Sequence, residues 1–446
     1  IALWPGVHLS LYGVAVDVGS TTVAAHLCDL SSGEVLASAS MMNPQIRFGE
    51  DLVSRVSYVM MHPEGAAEMT GIIRDALNDL FTQVAKQVKG SVEDILEITL
   101  VANPIMHHLL LGIDPVELGG APFALTTDAA IEVPARELDL HINHGGRLYV
   151  LPCIAGHVGA DTAGVILSEE PQNQDQMTLL VDVGTNAEIV LGDKNRLLAC
   201  SSPTGPAFEG AQISSGQRAA AGAVERVRID AQTLEPRFRV IGSELWSDEV
   251  DFAAQTSKFG VTGICGSGII EVVAEMFLAG IITVDGVIDG ALVERSSRII
   301  ADGRTFSYVL YQPDATAVIG VGRTTPITIT QNDVRQIQLA KAALYAGVKL
   351  LMDKVGVERI DRIRLAGAFG SHINVKHAMV LGLIPDCALD QVSSAGNAAG
   401  TGARIALLNN KSRNTIELLV TNIEKIETAM EPKFQQYFVD AMAFPN

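Results

Sequence analysis

Short apolar runs, each closed by a polar turn containing glycine, set the pattern of this chain. Residues 12–18 (YGVAVDV) and 178–183 (TLLVDV) are β-rich, and each ends in Asp-Val-Gly. A second apolar run follows each (VAAHLCDL; AEIVLGD), then a polar turn, then a third run (VLASAS; LLACSS). This predicts strand, tight turn, strand, turn, strand, twice over. The two aspartates, Asp17 and Asp182, align at an offset of 165.

Two further pairs recur in the same order. Segments 155–160 (AGHVGA) and 395–400 (AGNAAG) each open a helix of small residues ending in VIL or IAL, at an offset of 240. Segments 98–103 (ITLVAN) and 363–368 (IRLAGA) both read as a strand running into a turn and a helix. Repetition of several kinds of element in one order predicts a duplicated α/β architecture. From Asp333 onward the helical period is plain. Ile337, Ala340, Leu344, Val348 and Leu351 fall at three- and four-residue steps, and Thr330 with Asp333 has capping-box spacing. Lys341 on this helix reads as a solvated-face residue.

Either Asp-Val-Gly motif alone is explained by an ordinary turn. The recurrence of an acid at the strand end with donors just after it asks for more. Such a turn places N–H groups and hydroxyls around an anion, while the carboxylate faces a cation beside it, as a phosphate with its Mg²⁺ requires. The donors are Gly19, Ser20, Thr21 and Thr22 in the first copy, and Gly184, Thr185 and Asn186 in the second. Gly263-Ile264-Cys265-Gly266-Ser267-Gly268 precedes a helical run, where glycines let a backbone approach a phosphate or merely pack tightly. Gly367-Ala368-Phe369-Gly370 has the same two readings. Glu209, the only acid of 203–218, reads as a solvated loop carboxylate. His107, His108 and His157 lack carboxylates at ligand spacing and read as non-metal; two adjacent histidines do not share a helix face.

Composition narrows the function classes. The chain has 446 residues, is 48% hydrophobic and 19% charged, and carries 41 glycines. It is therefore neither a disordered tail nor a disulfide miniprotein. A net charge of −19 would repel a phosphate backbone, which argues against nucleic-acid binding. No apolar run is long enough to span a membrane. The five cysteines (Cys28, Cys153, Cys200, Cys265, Cys387) are odd in number and widely spaced, which points to a reduced, cytoplasmic compartment with no cluster motif. The chain starts at Ile1 rather than Met, so a native N-terminus upstream is expected.

Taken together, the two Asp-Val-Gly turns, the two small-residue helices and the late Gly-Ala-Phe-Gly turn resemble the ASKHA superfamily, the actin, Hsp70 and sugar-kinase fold. The wording YGVAVDVGSTTVAAHLCDL, ANPIMHHLLLG, LPCIAGHVGAD, VDVGTNAEIVLG, SSPTGPAFEGAQISSGQRA, GICGSGI and AGAFGSHIN is narrower. It resembles the ATP-dependent reductive activators of corrinoid proteins. The resemblance implies a duplicated actin-like, ribonuclease H-like ATPase fold with two domains flanking a nucleotide cleft. The expected division is residues 1–10 as the end of an upstream linker, 11–176 as the first subdomain and 177–446 as the second. The helix near 395–410 is expected to pack back across the junction.

The implied function is return of an inactive Co(II) corrinoid protein to Co(I) for methyl transfer, with ATP hydrolysis coupled to one-electron reduction. Asp17 and Asp182 would face Mg²⁺, directly or through water, and Asp182 would orient or deprotonate the attacking water. Ser20, Thr21, Thr22, Thr185 and Asn186 would meet phosphates. Gly266, Ser267, Gly268, Gly367, Ala368, Phe369 and Gly370 would border the nucleoside. Family members typically carry an N-terminal ferredoxin-like [2Fe–2S] domain, and this chain has no cysteine cluster for one. As given, it is expected to be the ATPase and docking part. The partner implied is the corrinoid protein of a methyltransferase system, and a homodimer is allowed. A small-molecule kinase of the same fold, an activator of a 2-hydroxyacyl-CoA dehydratase and a nucleotide-driven assembly protein remain alternatives.

Overall fold

A computed structural model describes residues 10–313, 322–370 and 372–445. Two compact units emerge. The first takes the described residues up to Asp175 together with Gly192–Cys200 and Asn397–Ile426; the second takes Gln176–Leu191, Ser201–Gly396 and the described residues from Glu427.

The first unit is organised on a six-stranded sheet. Its strands are β1 (Tyr12–Val18), β2 (Thr22–Asp29), β3 (Val35–Met42), β4 (Ile95–Ala102), β5 (Ile131–Pro134) and β6 (Arg147–Val150). Their order is β3-β2-β1-β4-β6-β5. Strands β1, β2 and β3 form an antiparallel meander, while β4 runs parallel to β1 and β6 parallel to β4. Central β1 is covered on both faces, which is why its sequence is nearly continuous in apolar residues: Ala15 is fully buried on one face, and the valines Val14, Val16 and Val18 on the other. Each such side chain stabilises the fold by about 1.5–3 kcal/mol.

The second half repeats the plan with β7 (Thr178–Val183), β8 (Ala187–Gly192) and β9 (Leu197–Ser202). Three short strands follow as a small sheet: β10 (Ala223–Ile229), β11 (Pro236–Val240) and β12 (Gly263–Ile264). Another three form a second small sheet: β13 (Ile299–Asp302), β14 (Thr305–Tyr311) and β15 (Ile327–Thr330). The chain then adds β16 (Arg362–Ala366), β17 (Val392–Gly396) and β18 (Glu424–Lys425). The second large sheet runs β17-β16-β7-β8-β9-β18. From the meander inward, β9-β8-β7-β16-β17 reproduces β3-β2-β1-β4-β6. The parallel pairings are matched as well, β16 with β7 and β17 with β16.

The two small-residue helices of the repeat, Ala160–Glu169 and Ala398–Leu408, lie against each other in the first unit. Their glycines explain the composition. A Cβ on Gly402 would lie 2.0 Å from the Gly164 carbonyl oxygen, and one on Gly164 would lie 2.8 Å from that of Ala399. Backbone meets backbone at this crossing, so no side chain fits.

The long helix spans Gln331–Val355, and its Thr330/Asp333 capping box forms as the spacing predicts. Asp333 also accepts from Ser214, whose backbone N–H lies at 2.8 Å. All five stripe residues are buried. Lys341 corrects the expectation of a solvated face. It is buried, donates to the Ala443 carbonyl and lies 5.3 Å from the Phe444 ring centre. Burial lowers its pKa to about 8. The reason is positional: Lys341 follows Ile337 by four residues and precedes Leu344 by three, inside the apolar stripe.

Candidate functional site

The first Asp-Val-Gly turn joins β1 to β2. Gly19 N–H donates to the Thr22 carbonyl at 2.9 Å, and Thr22 starts β2 on the exposed side. Asn43, fully buried, donates from its amide to the Gly19 carbonyl at 2.8 Å and from its backbone N–H to the Thr21 carbonyl at 2.9 Å. The Asn103 amide donates to Ser20 Oγ at 2.8 Å. Four residues of the predicted site are thus locked into one turn.

Asp17 closes β1 behind this turn, and its environment was not legible in the sequence. Burial, then the neighbouring Asp161 carboxylate, push its pKa up to about 7 against a hydrogen bond from Asn397. Asp161, in the first turn of the Ala160–Glu169 helix, is raised to about 6 by burial, opposed by hydrogen bonds from Thr162. Two withdrawn carboxyls side by side resist double ionisation. Gly159 keeps the space beside them open, since a Cβ there would lie 2.7 Å from Asp161 Oδ1 and 2.6 Å from the Ala102 carbonyl oxygen. Asn397 caps the Ala398–Leu408 helix by accepting from Gly400 N–H at 2.8 Å. Asn397 lies inside one copy of the repeated segment and Asp161 directly follows the other, which is the signal that the sequence holds for this pair.

In the second turn, Gly184 N–H donates to the Asn186 carbonyl at 2.9 Å. Thr204 Oγ1 donates to the Gly184 and Thr185 carbonyls at 2.9 and 3.0 Å. Glu209 is tied to this turn rather than solvated: Thr185 Oγ1 donates to its carboxylate at 2.8 Å. Asp182 ends β7 next to Gly367, which adopts φ +80°; a Cβ there would stand 2.4 Å from Asp182 Oδ1. The Gly-Ala-Phe-Gly segment therefore sits against the second aspartate, as the short helix Gly367–Gly370. The side chains of Ala368 and Phe369 lie outside the described residues. A Cβ on Gly370 would lie 2.9 Å from the Leu365 backbone.

Gly266, Ser267 and Gly268 form the first turn of the Gly266–Leu278 helix and are buried. Packing accounts for Gly268, where a Cβ would fall 2.2 Å from the Val224 carbonyl oxygen of β10. Ser267 Oγ lies 3.3 Å from Cys265 Sγ. The histidine pair of the Pro104–Leu111 helix is also buried. Contrary to the expectation for adjacent residues, the two rings approach, with Nδ1 atoms 3.4 Å apart. Burial, then His108, lower His107 to about 4, so this pair is neutral at pH 7.

Comparison with known proteins decides the family. The profile of the RACo C-terminal domain, the ASKHA domain, matches residues 176–446, and that of the RACo middle region matches residues 12–174. The chain belongs to the family of reductive activators of corrinoid proteins. Its relatives include the corrinoid activation enzyme RamQ of Eubacterium limosum, 35% identical over 446 residues, 98% of this chain and 71% of that protein. The [Co(II) methylated amine-specific corrinoid protein] reductase of Methanosarcina barkeri is 24% identical over 428 residues, 92% of this chain and 72% of that protein. Among solved structures, a reductive activator for corrinoid, iron–sulfur protein superposes with a TM-score of 0.83 at 34% identity, over 99% of this chain and 67% of that one. The reductive-activator family thus accounts for the duplicated sheets, and its ASKHA domain implies ATP and a divalent metal.

Proposed function

We propose that this chain is the ATPase and docking part of a reductive activator that returns inactive Co(II) corrinoid protein to Co(I), coupling ATP hydrolysis to one-electron reduction. The observation that carries the reading is the Asp17–Asp161 pair beside a preformed phosphate-type turn, in a chain of this family. A divalent cation fits these residues. Two neighbouring carboxyls both raised by burial, Asp17 also by the charge of Asp161, are what a Mg²⁺ ion relieves, and Mg²⁺ takes one or two carboxylates together with phosphate and water. Asp17 and Asp161 would hold it, and it would neutralise charge developing on the phosphoryl oxygens. Ser20, Thr21 and Thr22 receive phosphate at the first turn and Thr185 and Asn186 at the second. Asp182 orients the attacking water, held in position by Gly367. The nucleoside is assigned to Gly266–Gly268 and Gly367–Gly370.

The electron is assigned to an iron–sulfur donor domain. Among the described residues no three His, Cys, Asp or Glu side chains converge on a metal-sized site. The partner is the corrinoid protein of a methyltransferase system.

The test is the visible spectrum of an anaerobic Co(II) corrinoid protein with a chemical reductant and this chain, with and without Mg-ATP. A nucleotide-dependent shift of the cobalt bands, or growth of the Co(I) spectrum, is expected. ATP consumption with an unchanged spectrum, repeated with an upstream-extended chain, would overturn the reading in favour of a kinase.

A further inference from the structure

The two duplicated turns differ in the charge that backs them. Beneath the first lies Arg55, on the Leu52–Met61 helix, fully buried. Its Nη2 donates to the Ser20 carbonyl at 2.5 Å, its Nε to the Gly49 carbonyl at 3.0 Å and its Nη1 to Met106 Sδ at 2.6 Å. None of these partners is a carboxylate. Burial lowers the guanidinium pKa to about 10, opposed by the field of Asp51, so the charge persists at neutral pH. A buried charge bonded only to neutral acceptors is costly unless an anion completes it.

Backbone geometry leaves one side of this turn for an anion. The carbonyls of Gly19, Ser20 and Thr21 all face inward, to Asn43, Arg55 and Asn43 respectively. In a trans peptide the following N–H points the opposite way. The N–H groups of Ser20 and Thr21 are therefore presented together on the side away from Arg55, as an anion nest requires. At the second turn, the Gly184 and Thr185 carbonyls are held by the neutral Thr204 hydroxyl, and a carboxylate, Glu209, occupies the Thr185 hydroxyl. A cation backs the first copy, and in the second a carboxylate takes up the hydroxyl of the turn.

We propose that Arg55 is a positioning residue that holds the first turn in its anion-binding form and supplies the charge making it, rather than the second turn, the seat of the strongest phosphate contact. The inference rests on the nucleotide reading above. Its test is calorimetric binding of ATP, ADP, pyrophosphate and adenosine to the wild type, Arg55→Gln and Arg55→Lys. Glutamine carries no charge and places its amide where the arginine Nε meets the Gly49 carbonyl, whereas lysine keeps the charge, so the pair tests the charge behind the turn. Arg55→Gln is expected to weaken ATP, ADP and pyrophosphate by about tenfold or more and to leave adenosine unchanged. Arg55→Lys is expected to restore most of the loss, a rescue that a merely structural role would not give.

Equal pyrophosphate affinity in the wild type and Arg55→Gln overturns the proposal while leaving the nucleotide reading intact. A wild type that binds adenosine and ATP equally, or neither, overturns both. Should Arg55→Gln not fold, a folded Arg55→Lys that loses pyrophosphate as heavily as adenosine overturns the assignment of charge. Selective retention of pyrophosphate in that variant supports it.

Discussion

Gly367→Ala tests whether the geometry around Asp182 matters to the chemistry. The residue stands at φ +80°, so an L side chain there costs about 1–2 kcal/mol in backbone strain alone. The added methyl would also lie 2.4 Å from Asp182 Oδ1, whereas ordinary contact begins at 3.4 Å. Asp182, or the turn carrying it, must retreat by about 1 Å, and a misplacement of that size can cost about a hundredfold in rate. Gly356→Ala is the control, because Gly356 has φ +84° at a helix C-terminus with nothing within 4 Å of a Cβ. Both variants are expected to lose similar stability in urea titrations. Only Gly367→Ala is expected to lose ATP turnover, by about two orders of magnitude, measured as phosphate release. Equal turnover in the two variants would refute the argument that Asp182 must hold its place.

Three other outcomes follow from the packing and the charges. Asp161→Asn should lower ATP hydrolysis by about a hundredfold. The same variant should melt no lower than wild type in EDTA, because a like-charged neighbour of Asp17 is gone; wild-type turnover would sink the pairing. His377→Asn should cost about 3 kcal/mol near pH 5.5 and less near pH 9, followed by urea unfolding. His377 Nε2 lies 2.8 Å from Glu275, and despite burial its bonds to Glu271 and Glu275 raise its pKa above 6.5. Burial would raise Glu271, but His377, the Val227 N–H and Arg226 override it and hold the carboxyl at about 2. The histidine contribution is complete below pH 6.5 and fades as pH rises through the folded value, while that of Glu271 is complete above pH 4.5 and fades towards pH 2. A pH-independent difference would refute the charge assignment. Gly402→Ala should destabilise the first unit by about 2 kcal/mol in urea, because the 2.0 Å approach to the Gly164 carbonyl forces the two helices apart. No loss would show that the crossing tolerates a side chain.

Local pattern determined a good deal about this protein. Two strand–turn–strand repeats ending in Asp17 and Asp182, the paired small-residue helices and the capped helix from Thr330 are written in runs of neighbouring residues, where side-chain period and turn chemistry act directly. The wording of those runs also named the family. What pattern alone could not supply is which distant groups share one environment. Asp17 meets Asp161 and Asn397 only because the packing of the Ala160–Glu169 and Ala398–Leu408 helices brings their starts to the end of β1. Arg55 reaches the Ser20 carbonyl across β2 and β3, and Glu209 meets Thr185 across β8 and β9. Lys341 needed the Ala443 carbonyl and the Phe444 ring to take it out of water. In each case the burial and the field that set a group's charge come from residues far along the chain, so they exist only once the tertiary structure has formed.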